Sequence, residues 1–484
     1  MTATGLRTLA NRIGGEWRAA SGGETLLSRN PATGEPLANV PLSTAADVDA
    51  AVRAARAALP GWRATSPVVR ARAVMDLRTR LVAHRDELAR IVTADMGKTL
   101  EDASGEVGRG IESVESATAV PHLLKGENLE GVATKVDVEL VRHPVGVVAA
   151  ITPFNFPAMI PLWFLPFAVA CGNTLVLKPS ERDPLASERI VELCEDVFPP
   201  GVVNLLHGGR EAVDGLLDHP DVDAVSFVGS ATVARHVYAR AAAHGKRVQA
   251  LGGAKNAMVV MPDAAPDVMA AGVTASAFGA AGQRCLAGSV AVLVGDEAEQ
   301  DRARDRIVEA AAAMRVGPGD DPSTDVGPLV DASARERVEA EIDRAEADGV
   351  PILLDGRRGG GEAGAELGPT VVEPADPEGP LGREELFGPL LTLVRAPTLD
   401  AAVEWINAGR YGNAAVIFTT SGAAARAFRA DVEAGMLGVN VGVAAPVAWF
   451  PFSGWKDSMA GDLHANGRDA VEFYTRKKVV TARW

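Results

Sequence analysis

Only three cysteines occur among the 484 residues, Cys171, Cys194 and Cys285, and no two stand in a CxxC spacing. That odd, unpaired set argues against a disulfide framework or a structural zinc site and fits a reducing cytoplasm. No run of membrane-spanning length is present. The longest apolar stretch, AMIPLWFLPFAVACG (158 to 172), contains two prolines and falls short of the ~20 residues a spanning helix needs. It reads instead as a buried helix. The opening MTATGLRTLANRIGGEW has no apolar core of signal-peptide length. A GxGxxG fingerprint is missing, as is any internal repeat of ~20–50 residues. Positive charge is also short: Lys and Arg total 48 against 63 Asp and Glu, a net charge of −15. That balance argues against nucleic acid or an anionic membrane as the main partner.

What is present is the material of a soluble globular protein, 47% hydrophobic and 23% charged, too long for one core. The stretch 67 to 96 places Val74, Leu77, Leu81, Leu88, Ile91 and Val92 near helical spacing, with Pro67 suited to a first turn. From residue 144 the texture changes. VGVVAAI, TLVLKP, VVNLLHG and AVSFVGS are short apolar runs, the last three ending in Pro, Gly or Ser, with helical patterns between them. A second series follows with AMVVMP, VAVLVG, PTVVEP, LLTLVRA and AAVIFTT. Apolar strands alternating with helices predict parallel sheets covered on both faces, hence two tandem α/β domains dividing near 250. RRGGGEAGAELGP (357 to 369) reads as a flexible surface excursion between two strands. KVDVELVRHP (135 to 144) and the end of RDAVEFYTRKKVVTARW alternate in polarity and are expected to form one edge ribbon, open to pairing between subunits.

Ligands of parallel α/β sheets bind where strands end and helix N-termini begin. AVSFVGSATVARHV is such a place: Gly229 and Ser230 suit a phosphate, although a plain Ser cap looks identical. Lys178 and Glu181 of LVLKPSERDP end another strand, either as holders of ribose hydroxyls or as a surface ion pair. Asn155, between two phenylalanines in ITPFNFPAM, is either an oxyanion donor or a turn asparagine. Cys285, in FGAAGQRCLAGSV, is either a small buried hydrophobe or a nucleophile with room around it and Arg284 beside it.

Taken in order, ITPFNFP, LKPSERDP, FVGS, GQRC and EELFGPLL resemble the aldehyde dehydrogenase superfamily over essentially the whole chain. RVQALGGAKNAMVVMPDA, FYTRKKVV and the stretch from TPFNFP to SERDP look like its CoA-acylating branch, the methylmalonate-semialdehyde dehydrogenases. The resemblance implies a dinucleotide-binding domain from 1–123 and 145–250, oligomerisation segments at 124–144 and 465–484, and a catalytic domain from 251–464. It implies Cys285 as the nucleophile, with Asn155 and the Cys285 N–H holding the oxyanion. Lys178, Glu181 and Arg182 would surround the adenosine half of NAD, with Ser230 near the pyrophosphate. Thr152, Phe154 and Gly252 would line the cofactor channel, and Glu385 and Phe387 would hold the nicotinamide ribose and ring. Glu181 near the ribose hydroxyls favours NAD over NADP, and no metal is required. Homodimers or homotetramers are the expected assemblies.

One departure carries chemical meaning. Hydrolytic relatives carry a glutamate just before LGG, where this chain has Ala250. Water needs a positioned proton acceptor to attack a thioester, whereas a thiol ionises far more readily. Ala250 therefore fits transfer of the acyl group to CoA. Arg284 and Arg109 match two arginines that the family uses for a substrate carboxylate, a task suited to the planar guanidinium fork. These readings imply NAD-dependent oxidation of malonate or methylmalonate semialdehyde, with decarboxylation before CoA attack, giving acetyl- or propionyl-CoA. The alternatives are a hydrolytic aldehyde dehydrogenase releasing free acid and a catalytically silent binding protein on the same scaffold. Three places do not follow the branch: Gly442 with Ala444 and Ala445, Ala257, and Gly288; the first lies in a segment expected near the substrate mouth. Small residues in 438–456 are expected to widen the substrate mouth.

Overall fold

The computed structural model describes residues 5–359 and 364–484. Two parallel sheets organise it. The first is built from β1 (Val147–Ile151), β2 (Thr174–Lys178), β3 (Val203–Leu205), β4 (Ala224–Val228) and β5 (Arg247–Leu251), in the order β3-β2-β1-β4-β5. Every residue of β1, β2, β3 and β4 is buried, which is why these strands read as continuous apolar runs and not as alternating ones. Asn11–Ile13 adds antiparallel to β3, and Met459–Ala460 returns from far down the chain to add antiparallel to β5. A residue pair deep in the second half thus belongs to the first sheet.

The second sheet comprises β6 (Asn256–Val260), β7 (Gly288–Val294), β8 (Thr370–Val372), β9 (Leu390–Ala396), β10 (Ala414–Phe418) and β11 (Met436–Val439). Its parallel order is β8-β9-β7-β6-β10-β11, with Ile352–Leu354 antiparallel on β8. The predicted excursion therefore does lie between two paired strands, although residues 360–363 fall outside the described part. The change of sheet comes between Leu251 and Asn256.

The 67–96 segment forms two helices, Pro67–Ala83 and Arg85–Met96, with Pro67 in the first turn behind a Ser66 cap. The apolar run at 158–172 forms α2 (Met159–Ala170), every residue of it buried. A helix apolar all round has no solvent face. It packs against α1 (Leu100–Ala117), Pro67–Ala83 and β2. Each large apolar side chain buried there contributes roughly 1.5–3 kcal/mol. A three-stranded antiparallel ribbon stands apart, with Val136–Pro144 between Asn128–Ala133 and Thr475–Arg483. The two segments that alternate in sequence are paired along nine residues, from Thr475↔Pro144 to Arg483↔Val136. Among the described residues, no helix is long and apolar enough to cross a membrane.

Candidate active site

Cys285 follows a strained turn. Phe278 ends α4 (Pro266–Phe278), and the chain then passes through Ala280 and Ala281 with φ of 50° and 53°. Left-handed backbone costs a non-glycine residue roughly 1–2 kcal/mol, so two in succession mark a loop that its surroundings hold in place. Gly282, at φ 70°, has no such freedom to lose: a Cβ there would stand 2.2 Å from the Gly388 carbonyl. That contact draws the Cys285 loop against the loop carrying Glu385 and Phe387. Two side-chain amides then clamp the Cys285 carbonyl, Asn256 Nδ2 at 2.9 Å and Asn413 Nδ2 at 2.7 Å.

The sulfur lies where two cavities meet. One, of about 480 Å³, is walled by Phe156, Met159, Trp163 and Phe452 and also reached by Arg109 and Arg284. The other, of about 830 Å³, runs along the C-terminal ends of β1, β2 and β4 past Thr152, Lys178, Ser230 and Glu385. Cys285 lines both. Burial, then the field of Glu385, pushes its thiol up to about 12, against hydrogen bonds from the N–H groups of Cys285 and Leu286. The resting sulfur is therefore protonated. Cys171 and Cys194 are fully buried thiols away from both cavities.

Asn155, 4% exposed, donates from Nδ2 to the Gln283 carbonyl at 3.0 Å. This fixes one N–H and the plane of the amide, and leaves the second N–H for an oxyanion. Its own carbonyl accepts from Lys98 Nζ at 2.8 Å. Lys98 is 1% exposed, forms a 2.6 Å ion pair with Glu106 and lies 4.1 Å over the Phe156 ring. Glu106 in turn accepts from the N–H groups of Ala158 and Met159 at the start of α2. A buried lysine thus ties the Asn155 loop to α1 and α2. Breaking one half of a buried pair strands the other charge, at about 3–5 kcal/mol. Lys98→Met is accordingly expected to lower the thermal midpoint sharply, and Lys98→Met/Glu106→Leu to recover much of the loss; calorimetry on both variants checks it.

The larger cavity suits a dinucleotide. Lys178 Nζ holds Glu181 at 2.8 Å, a pairing that favours the ionised carboxylate although Glu181 is partly buried. Ser230 caps α3 (Ala231–Ala243) through Val233 N–H, and the α3 N-terminus faces the cleft through Gly229, Thr232 and Val233. The Thr152 hydroxyl is buried with no protein partner, a polar group left for a ligand. Gly252 has little space for a Cβ, which would meet the Asp457 carbonyl at 3.0 Å and Ala231 at 3.3 Å. Phe154 and Phe387 meet edge to face at 5.8 Å, and Arg182 lies 5.4 Å over Phe154 while pairing with Asp331 at 3.1 Å. Glu385 accepts from Ala254 N–H at 3.0 Å, and burial raises its carboxyl to about 7. All nine residues assigned to cofactor binding from the sequence line this one cavity.

The smaller cavity is less simply charged. Arg284 Nη2 is 2.6 Å from Asp102, whose other oxygen accepts from Ala280 N–H. Arg109 lies 3.8 Å from Glu112 and donates to the Pro446 carbonyl. Both arginines reach the cavity, but each has an acidic neighbour that the sequence reading did not include. The small residues that depart from the branch pattern take definite places in the fold. Gly442 does not widen the mouth: a Cβ there would stand 2.3 Å from the Gly272 carbonyl, so its size serves packing on α4. Gly288 likewise sits against the Met258 sulfur, and Ala257 is buried in the apolar cluster with Val290 and Ile417, away from both cavities. Ala445 does line the mouth, beside Val443 and Pro446.

Ala250 and Leu251 close β5. Ala250 faces the cluster of Val225, Phe227 and Ala234, whereas Leu251 belongs to the cluster against which Cys285 packs. Strand alternation puts the two side chains on opposite faces of β5. Both are apolar, and the end of β5 offers no base.

The sequence pattern of the aldehyde dehydrogenase family matches residues 17–480. Malonate-semialdehyde dehydrogenase 3 of Geobacillus kaustophilus is 51% identical over 484 residues, covering 99% of this chain and 100% of that protein. The crystal structure of methylmalonate-semialdehyde dehydrogenase from Oceanimonas doudoroffii matches at 44% identity and a TM-score of 0.96, over 99% of both chains. A Sinorhizobium meliloti protein described as a methylmalonate-semialdehyde dehydrogenase, crystallised with NAD, matches at 42% identity and a TM-score of 0.97, over 100% of this chain and 99% of that one.

Proposed function

Because this chain belongs to the aldehyde dehydrogenase family, we propose that it oxidises malonate or methylmalonate semialdehyde with NAD and passes the acyl group to CoA. The observation that carries this reading is the junction at Cys285: one sulfur faces both a dinucleotide-shaped cleft and a pocket with two arginines, and no carboxylate stands at the end of β5. The curated relatives act on malonate semialdehyde by name, and the identity to them runs the full length of the chain.

In this reading Arg109 and Arg284 hold the substrate carboxylate and set the aldehyde carbon against Cys285. Asn155 and the Cys285 main-chain N–H receive the oxyanion as sulfur adds. Lys178 and Glu181 hold the adenosine ribose, Ser230 and the start of α3 the pyrophosphate, and Glu385 and Phe387 the nicotinamide end. NAD, when bound, takes up the hydride. The acyl group then rests on Cys285 as a thioester, whose carbonyl accepts the electron pair released when the β-carboxylate leaves as CO2. A CoA thiol attacks the remaining acyl thioester and frees Cys285. The first half of the chain with β1–β5 serves as the dinucleotide domain, and the part carrying β6–β11 supplies the nucleophile. We place the protein in the cytoplasm, consistent with three unpaired cysteines. The ribbon leaves Leu129, Val479 and Trp484 at 64%, 63% and 78% exposure, and burying them between subunits supports a homodimer or homotetramer.

NADH formation from malonate semialdehyde, with and without CoA and with products identified by mass, tests the reading. Sustained NADH only with CoA, together with acetyl-CoA and CO2, is the expected result. Sustained turnover to free acid without CoA would overturn it.

A further inference from the structure

The chemistry above, on which this inference rests, leaves the proton of the acyl-transfer step to CoA unassigned. A CoA thiol must lose its proton to attack, and the departing Cys285 sulfur must gain one. Neither Ala250 nor Leu251 can take part. The other carboxylates around Cys285 are committed: Asp102 to Arg284, Glu106 to Lys98, Glu181 to Lys178 and Asp214 to Arg240 at 2.9 Å. Glu112 has Arg109 at 3.8 Å, and Glu101 is exposed at the outer rim. Glu385 differs. It is half-buried, and its carboxylate accepts one protein hydrogen bond, from a neutral peptide N–H.

Its placement is tied to the nucleophile by one short segment. Between Gly252 and Asn256, the Ala254 N–H holds Glu385 Oε1 at 3.0 Å and the Asn256 amide holds the Cys285 carbonyl at 2.9 Å. Gly253 lets the carboxylate lie close on the backbone, since a Cβ there would meet Oε2 at 2.4 Å. Gly282 packs against Gly388, joining the two loops again from the other side. Arg337 donates to the Leu386 and Phe387 carbonyls and so props the Glu385 loop.

We propose that Glu385 is the general base of acyl transfer: it takes the CoA thiol proton as sulfur attacks the Cys285 thioester, and returns that proton to the Cys285 sulfur. A bond forms between the CoA sulfur and the acyl carbon, and the bond from that carbon to Cys285 breaks. No oxidant or reductant enters. Glu385 cannot hold ribose hydroxyls and receive this proton together, so transfer to CoA follows departure of the dinucleotide. The charged and titratable groups around it are Lys255 and Arg337, which favour its ionised form, and Cys285 and Tyr411, whose protons its charge holds more tightly. Lys255 is a buried amine with no hydrogen-bond partner, its own acidity raised by burial and opposed by Glu385. With Glu385 near 7, the base form appears as pH rises through neutrality.

Exchange of labelled CoA into acetyl-CoA by the NAD-free enzyme isolates this step, because it needs neither aldehyde nor hydride transfer. The acetylated Cys285 peptide, seen by mass, confirms the route. Wild-type exchange is expected to rise through an inflection near pH 7. Glu385→Gln should lower exchange about 10²-fold at pH 7 and recover as pH approaches the thiol's own ionisation near ~8.5. Lys255→Met should move the wild-type inflection to higher pH, and this arm decides the matter if Glu385→Gln fails to fold. An unchanged rate and profile in folded Glu385→Gln, or an unmoved inflection in Lys255→Met, overturns the assignment of Glu385. Absence of any exchange in the wild type overturns the CoA reading itself, a separate failure.

Discussion

Replacing Cys285 with alanine is expected to abolish NADH formation, by on the order of 10⁴-fold or more, while leaving NAD binding intact. In the proposed mechanism covalent catalysis has no partial form, because without the sulfur no tetrahedral adduct exists from which hydride can leave. No other thiol can substitute. Cys171 is 1% exposed and Cys194 0%, both are held up to about 12 by burial, and neither lines the cavities where Cys285 stands. Alanine is also benign structurally. The Asn256 and Asn413 amides grip the carbonyl of residue 285, not its side chain, so the strained 280–282 turn should persist. Steady-state NADH formation, set beside NAD binding by calorimetry, separates lost chemistry from lost fold. Substantial residual oxidation would remove Cys285 from the mechanism altogether.

Asn155→Ala should lower the acylation rate about 10²–10³-fold with little change in apparent substrate affinity. That is the usual consequence of losing one oxyanion donor, which acts as charge develops and only weakly on the bound aldehyde. The amide is well suited to the role, since Gln283 fixes one N–H and Lys98 fixes the carbonyl of the same residue. Nothing needs to reorganise when the oxyanion appears. Rapid-quench measurement of the NADH burst gives the rate directly. A rise in KM at constant burst rate would instead make Asn155 a ground-state binder.

Much of this was legible in the chain. The apolar runs of β1, β2 and β4 announce buried parallel strands because each residue there has neighbours above and below, so no polar alternation survives. The residues read for NAD all lie at strand ends or in the Glu385 loop, where local pattern and cleft coincide. Lys98 was not legible, because its three partners lie 8, 57 and 58 residues away and nothing in DMGKTL distinguishes a buried lysine from a surface one. The Asn256 and Asn413 clamps are hidden for the same reason. Gly442 looked like space for substrate and is in fact a point of close approach to Gly272.

The meeting of two cavities on one sulfur bears on how the enzyme is loaded and emptied. Each compartment is lined by its own residues, and Cys285 is the residue their described linings share. An acyl group carried on that sulfur would stand at their junction. One side can be vacated and refilled while the cargo stays locked in place, as at a customs gate where the vehicle waits and the escort changes.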